Sequence, residues 1–213
     1  PVIYADPVII ERSLNVMGID AKVNVVESPD QAKGDPAVVD VIDIGVVDDA
    51  EKIKFCKVQE LAGKAALTSI EMATADAMAG KTVGIVTGPI NKEAIWSTGS
   101  NFLGHTELLH DLTGAENTDT MFVVGDLCTF FATRHMSLSQ AISSLSPELI
   151  AASLERANRA LEVFGYEDPR LAVAALNPHG GEGGHFGREE IDVLVPGIEM
   201  AKEKVGKDFI GPI

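Results

Sequence analysis

Short β-type apolar runs alternate with helix-patterned segments along most of this chain, and that alternation restricts it to the α/β class. Residues 1–5 read as a strand, followed by a helix with Asp6 at its N-cap, Pro7 in its first turn and Gly18 at its stop. Two more strands are expected at 22–26 and 38–44, and an Ala-rich helix at 58–79. Residues 82–86 (Thr-Val-Gly-Ile-Val) read as a short buried strand that runs into Thr87-Gly88-Pro89-Ile90-Asn91-Lys92 and a short helix at 93–97. Runs 120–124 and 127–133 flank Gly125-Asp126, which predicts a tight hairpin and makes the expected sheet mixed. From Ser146 to Gly165 the positions Ile150, Leu154, Ala157 and Leu161 keep helical spacing, so this helix faces a core. A strand at 171–176 follows, then a helix at 189–205 whose hydrogen-bond ladder Pro196 should kink or break.

The segment between those last two elements, 175–190, carries five glycines, two histidines and three glutamates. A glycine-dense loop loses much entropy on ordering unless its positive φ or close backbone approach is used, so it points to a site. Three histidines are placed at apparent strand ends, where α/β scaffolds collect catalytic groups: His105, His135 after the 128–133 run, and His179 after 171–176. His110 reads as a structural residue of the following helix. His185, six residues beyond His179, is open between a ligand, a supporting hydrogen-bond donor and a solvent-facing residue. Lys92 and Arg134 are candidate counter-charges for an anionic substrate, with solvated surface cations as the equal alternative. The 87–92 segment lacks the spacing of a phosphate loop and contains a proline, which excludes an ATPase reading, and neither GxGxxG after a strand nor GxSxG occurs.

The chain has 213 residues, 46% hydrophobic and 23% charged, enough to bury at least one sizeable core. A net charge of −15 and a pI near 4.6 argue against nucleic acid or an anionic membrane as partner. No apolar run reaches bilayer length and no signal segment opens the chain, so a cytoplasmic protein is expected. Cys56 and Cys128 have no paired spacing and read as reduced, partly buried thiols. The chain opens inside a strand-like run and stops where another is expected to begin at 208–213, so a fragment cut at both ends is expected.

Four motifs, in this order, resemble the 4-hydroxythreonine-4-phosphate dehydrogenase family: TGPINK at 87–92, GHTE at 104–107, the histidine of ATRHMSL at 132–138, and LNPHGGEGGHFGREEID at 176–192. The similarity covers the whole chain, with Asn91 where some members have His and Gly180 where many have Ala. The resemblance implies an isocitrate/isopropylmalate dehydrogenase-like α/β/α sandwich, here as part of a two-subdomain catalytic chain whose internal boundary the sequence does not fix. It implies an enzyme that uses NAD and a divalent metal (zinc, alternatively magnesium or cobalt) in pyridoxal phosphate biosynthesis. It assigns His105 and Thr106 to substrate and His135 and His179 to metal. A third metal histidine and further substrate residues are expected beyond Ile213, with the site shared across a homodimer. Lys92, Glu182 and His185 are candidates for phosphate contact or for supporting a ligand.

The chemistry agrees with this. Oxidising a secondary alcohol removes a proton and a hydride, and a Lewis acid lowers the hydroxyl pKa. The expected reaction is oxidation with decarboxylation of 4-phosphooxy-L-threonine. The alternatives are 4-phospho-D-threonate or 4-phospho-D-erythronate as substrate and, in another class, a catalytically inert metal- or ligand-binding fragment.

Overall fold

Strand β3 (Val38–Ile42) is buried over its last three residues and lies at the centre of a parallel sheet ordered β1-β3-β2. Strand β1 (Ile3–Tyr4) sets Ile3 opposite Val41, and β2 (Lys22–Val25) runs in register from Lys22 opposite Val38 to Val25 opposite Val41. Parallel strands need a crossover, and helix α1 (Pro7–Met17), closed by Gly18 in the left-handed region, supplies the one from β1 to β2, which lie on opposite sides of β3. Asp6 does occupy the N-cap of α1, but its side chain does not cap the helix. It is buried, and Oδ1 accepts the Val46 N–H at 2.7 Å, tying β1 to the turn after β3.

The computed structural model describes residues 1–213 as two compact units, Pro1–Thr118 and Asp119–Ile213. In the first, helices α3 (Lys92–Trp96) and α4 (His105–Thr113) pack on the long α2 (Glu60–Met78). The approach of α3 requires glycine at Gly63, where a Cβ would overlap the Ala94 carbonyl. One expectation fails here: residues 82–86 form no strand, and Val83 and Val86 are fully exposed. Their composition suits a strand, but the three-stranded sheet closes without them, and an extended segment becomes a strand only by pairing.

In the second unit, β4 (Met121–Val124) and β5 (Leu127–Phe130) pair antiparallel across Gly125-Asp126, with Gly125 at φ +58°. The parallel and antiparallel pairings therefore fall in separate sheets, not in one mixed sheet. Helix α5 (Leu138–Ser143) was not anticipated, although Ser137 and Gln140 close a reciprocal capping box at its start. Helix α6 (Pro147–Val163) begins at the expected Ser146 cap and buries Ile150, Leu154, Ala157 and Leu161. It packs on α7 (Val195–Val205), with Ile198, Ala201 and Phe209 completing the core.

The effect expected of Pro196 takes a specific form. Residues Glu190–Leu194 make a π-helical turn in which the Val195 N–H reaches the Glu190 carbonyl, and the proline sits in the first turn of α7, where its missing N–H costs least. Residues 171–176 alternate between partly buried and exposed side chains and pair in parallel with 210–213, through Val173 N–H to Ile210 O at 2.8 Å and Ala175 N–H to Ile213 O at 2.8 Å. The strand signals at both positions thus correspond to one short ladder. No helix is long and apolar enough to cross a membrane.

Candidate functional site

The ladder at 171–176 delivers the chain into a left-handed turn. His179, Gly180, Gly181, Glu182 and Gly183 have φ of 54°, 62°, 74°, 44° and 67°, and Gly184 follows at 98°. Such dihedrals cost a residue with a Cβ on the order of 1 kcal/mol or more, so His179 and Glu182 hold them only because their surroundings impose them. Glycine is required at Gly181, where a Cβ would stand 2.7 Å from the Gly187 carbonyl oxygen. The Phe186 N–H closes the loop on the Gly181 carbonyl at 3.0 Å.

The loop is held at its entrance by a residue the sequence reading did not single out. Glu190, only 4% exposed, accepts the N–H of Leu176 at 2.8 Å and of Asn177 at 2.6 Å on Oε1, and Asn177 Nδ2 at 2.8 Å on Oε2. Asn177 Nδ2 also donates to Glu189 at 2.7 Å. Burial pushes the Glu190 carboxyl up. The hydrogen bonds from the Asn177 side chain and from main-chain N–H groups outweigh that and leave it below the ordinary carboxylate value. The available signal was an acidic residue just after a glycine loop, but its role depends on contacts 13 and 14 residues back.

His179, Glu182 and His185 share this loop and are exposed apart from the main chain at its centre. The Glu182 carboxylate, expected to orient a histidine, is exposed, and it is the Glu182 carbonyl that meets His185 Nδ1, at 2.8 Å. His135 lies five residues past β5, exposed and at φ 49°, so both histidines assigned to metal adopt the left-handed region. Imidazole is a suitable donor for zinc, but a catalytic zinc takes three protein ligands, and no three His, Cys, Asp or Glu side chains converge in this chain. The imidazoles of His135 and His179 suit such a metal by donor chemistry alone. Arg134 is engaged locally, donating to Thr120 Oγ1 at 3.0 Å.

In the first unit, Asn91 caps α3 by accepting the Ala94 N–H at 2.9 Å, which leaves Lys92 exposed at the start of that helix. His105 does not follow a strand as expected: it is the first residue of α4, after unpaired residues 100–103 that link it to α3. Thr106 is the second residue of α4. His105 Nε2 is buried without a partner, as is Nδ1 of His110. A buried ring nitrogen left unsatisfied is uncommon. Both cysteines are free, and Cys56 is exposed where a partly buried thiol was expected, because residues 54–58 lie outside every packed element. The second unit also contains a cavity of about 970 Å³ over α6, lined by residues such as Phe130, Leu154, Leu161, Tyr166 and Leu171 but by none of the candidate histidines.

A family model described as pyridoxal phosphate biosynthetic protein PdxA matches residues 1–213. A protein of Cutibacterium acnes with the provisional name D-threonate 4-phosphate dehydrogenase is 54% identical over all 213 residues, and one of Clostridium botulinum with the same provisional name is 38% identical. This chain spans 61% and 63% of their respective lengths. Among solved structures, a 4-hydroxythreonine-4-phosphate dehydrogenase from Klebsiella pneumoniae superposes with a TM-score of 0.90 at 34% identity, covering 99% of this chain and 63% of that one.

Proposed function

This chain belongs to the pyridoxal phosphate biosynthetic protein PdxA family, and from that premise we propose that it forms part of an NAD- and divalent-metal-dependent dehydrogenase acting on 4-phospho-D-threonate. The observation that carries the choice of substrate is the 54% identity, over the full chain, to a relative provisionally named for that substrate. 4-Phosphooxy-L-threonine in pyridoxal 5′-phosphate biosynthesis is the second reading. It is favoured by the family description and by the solved structures named for 4-hydroxythreonine 4-phosphate, whose identity to this chain is lower, at 34%.

In this reading the hydride of the substrate's secondary alcohol passes to NAD, the hydroxyl proton leaves to a base, and the resulting 3-keto acid loses carbon dioxide. His105 uses its unpartnered Nε2 to hold a substrate oxygen, and Thr106 adds a hydroxyl beside it on the first turn of α4. Lys92, exposed at the start of α3, supplies charge for the phosphate. His135 and His179 contribute imidazoles to the metal, zinc by donor preference with magnesium or cobalt as alternatives, and that cation when bound supplies Lewis acidity at the reacting hydroxyl. The remaining ligand comes from outside these residues. The frame is an isocitrate/isopropylmalate dehydrogenase-like sandwich in a two-subdomain chain, working as a cytoplasmic homodimer with the site shared between subunits. Side-by-side turnover of the two phosphorylated acids with NAD tests the choice: activity confined to 4-phosphooxy-L-threonine overturns it in favour of the second reading.

A further inference from the structure

We propose that Glu190 is the positioning residue of this site: its carboxylate fixes the entrance of the left-handed turn and thereby sets where His179 is presented. The inference rests on the functional reading above only for the use made of His179. Its geometric basis is independent of it.

Three donors converge on this one carboxylate, and two of them are the consecutive main-chain N–H groups of Leu176 and Asn177, immediately ahead of Pro178 and His179. A carboxylate that accepts adjacent N–H groups is bonded to a backbone conformation, and charge-assisted bonds of this kind are about twice as strong as neutral ones. No cation competes for it. The neighbouring Arg188 is committed to Asp192 through bonds of 3.0 and 2.9 Å, so the buried charge of Glu190 is compensated by the loop alone. Losing the loop conformation would leave a desolvated carboxylate without partners, which couples the two strongly.

The far end of the loop meets the same group. The Cα of Gly181 is close enough that a Cβ there would be 3.2 Å from Glu190 Oε2, and Gly187 packs against the Asn177 amide. Glu190 also opens the π-helical turn before Pro196, a widened turn of the kind that recurs at functional sites. Glu189 gives an internal comparison. It bonds the same Asn177 Nδ2, yet it is only half-buried and touches no main-chain N–H.

The test is ¹H–¹⁵N spectroscopy of the five histidine rings in the full chain, for wild type, Glu190→Gln and Glu189→Gln. The amide in Glu190→Gln keeps the volume but turns one acceptor into a donor facing other donors. The expected result is that the His179 and His185 signals move to averaged loop positions while His105, His110 and His135 stay in place, and that Glu189→Gln leaves all five unchanged. Zinc affinity, measured by competition with a chelator, should fall about 10- to 100-fold in Glu190→Gln, as when a group supporting a metal ligand is removed. An unmoved His179 overturns the proposal. So does a common shift of all five rings, which would make Glu190 a residue of global folding. Absence of turnover in the wild type would sink the functional reading without touching the ring result.

Discussion

Asn177 is bound to Glu190 twice, through its main-chain N–H at 2.6 Å and its Nδ2 at 2.8 Å. The side chain and backbone of one residue are thereby locked to a single buried carboxylate, two positions before His179. Rigidity of this kind is what a left-handed turn containing a histidine and a glutamate needs in order to persist.

This pairing sets an acid limit. The folded-state pKa of Glu190 is depressed below its unfolded value, so its contribution is present above the unfolded value and is lost as pH falls through the folded one. Hydrogen exchange of the Leu176 and Asn177 amides should accelerate on acidification below the ordinary carboxylate range, beyond the intrinsic pH trend, while amides at the centre of α6 keep their protection. Unaltered protection of Leu176 and Asn177 at low pH would contradict the assignment.

Close packing at Gly63 predicts a second effect. Gly63→Ala places a methyl against the Ala94 carbonyl, and overpacking of this sort costs about 1–3 kcal/mol. Urea unfolding should register the loss, and because α3 must retreat, the fluorescence of Trp96, the chain's one tryptophan, should shift even in the folded baseline. An unchanged midpoint would mean that α3 does not press on α2 as described.

The α6–α7 core makes a third prediction. Ile198, 2% exposed, packs between the helices, so Ile198→Ala should cost about 2–5 kcal/mol. Leu138→Ala, at a position 84% exposed, should stay within about 0.5 kcal/mol by the same denaturation assay. Equal effects at the two positions would contradict this placement of the core.

The proposed substrate role of His105 predicts that the two orphaned histidine nitrogens of α4 separate in function. His105→Ala should lower kcat/KM by at least about tenfold, mainly through KM, as expected when a substrate hydrogen bond is lost. His110→Ala should leave the kinetics within about twofold and act on stability alone. Parallel losses of activity in the two variants would remove the distinction drawn for His105 Nε2.

What was legible in the sequence was local. Ser146 and Pro147 announced the start of α6, the spacing of Ile150, Leu154, Ala157 and Leu161 its buried face, and Gly125-Asp126 the hairpin. The motif around His179 marked the loop. The segment 82–86 shows the limit: its composition suits a strand, but pairing depends on a neighbour the segment does not encode, and here it finds none. The capping box at Ser137 and Gln140 is a readable local signal for the start of α5. Glu190 was not readable in that way, because nothing in Arg-Glu-Glu-Ile tells which glutamate turns inward to meet Leu176 and Asn177. The metal donors belong with Glu190: the motifs name His135 and His179, while no three His, Cys, Asp or Glu side chains come together in this chain.

The deciding measurement is NAD reduction on 4-phospho-D-threonate, with 4-phosphooxy-L-threonine alongside, by the complete protein of which this chain is proposed to form part, before and after stripping divalent metal with a chelator. The expected result is metal-dependent NADH formation with the threonate preferred, restored by adding zinc back. Turnover that survives complete metal removal, or none with either substrate in metal-replete protein, would contradict it.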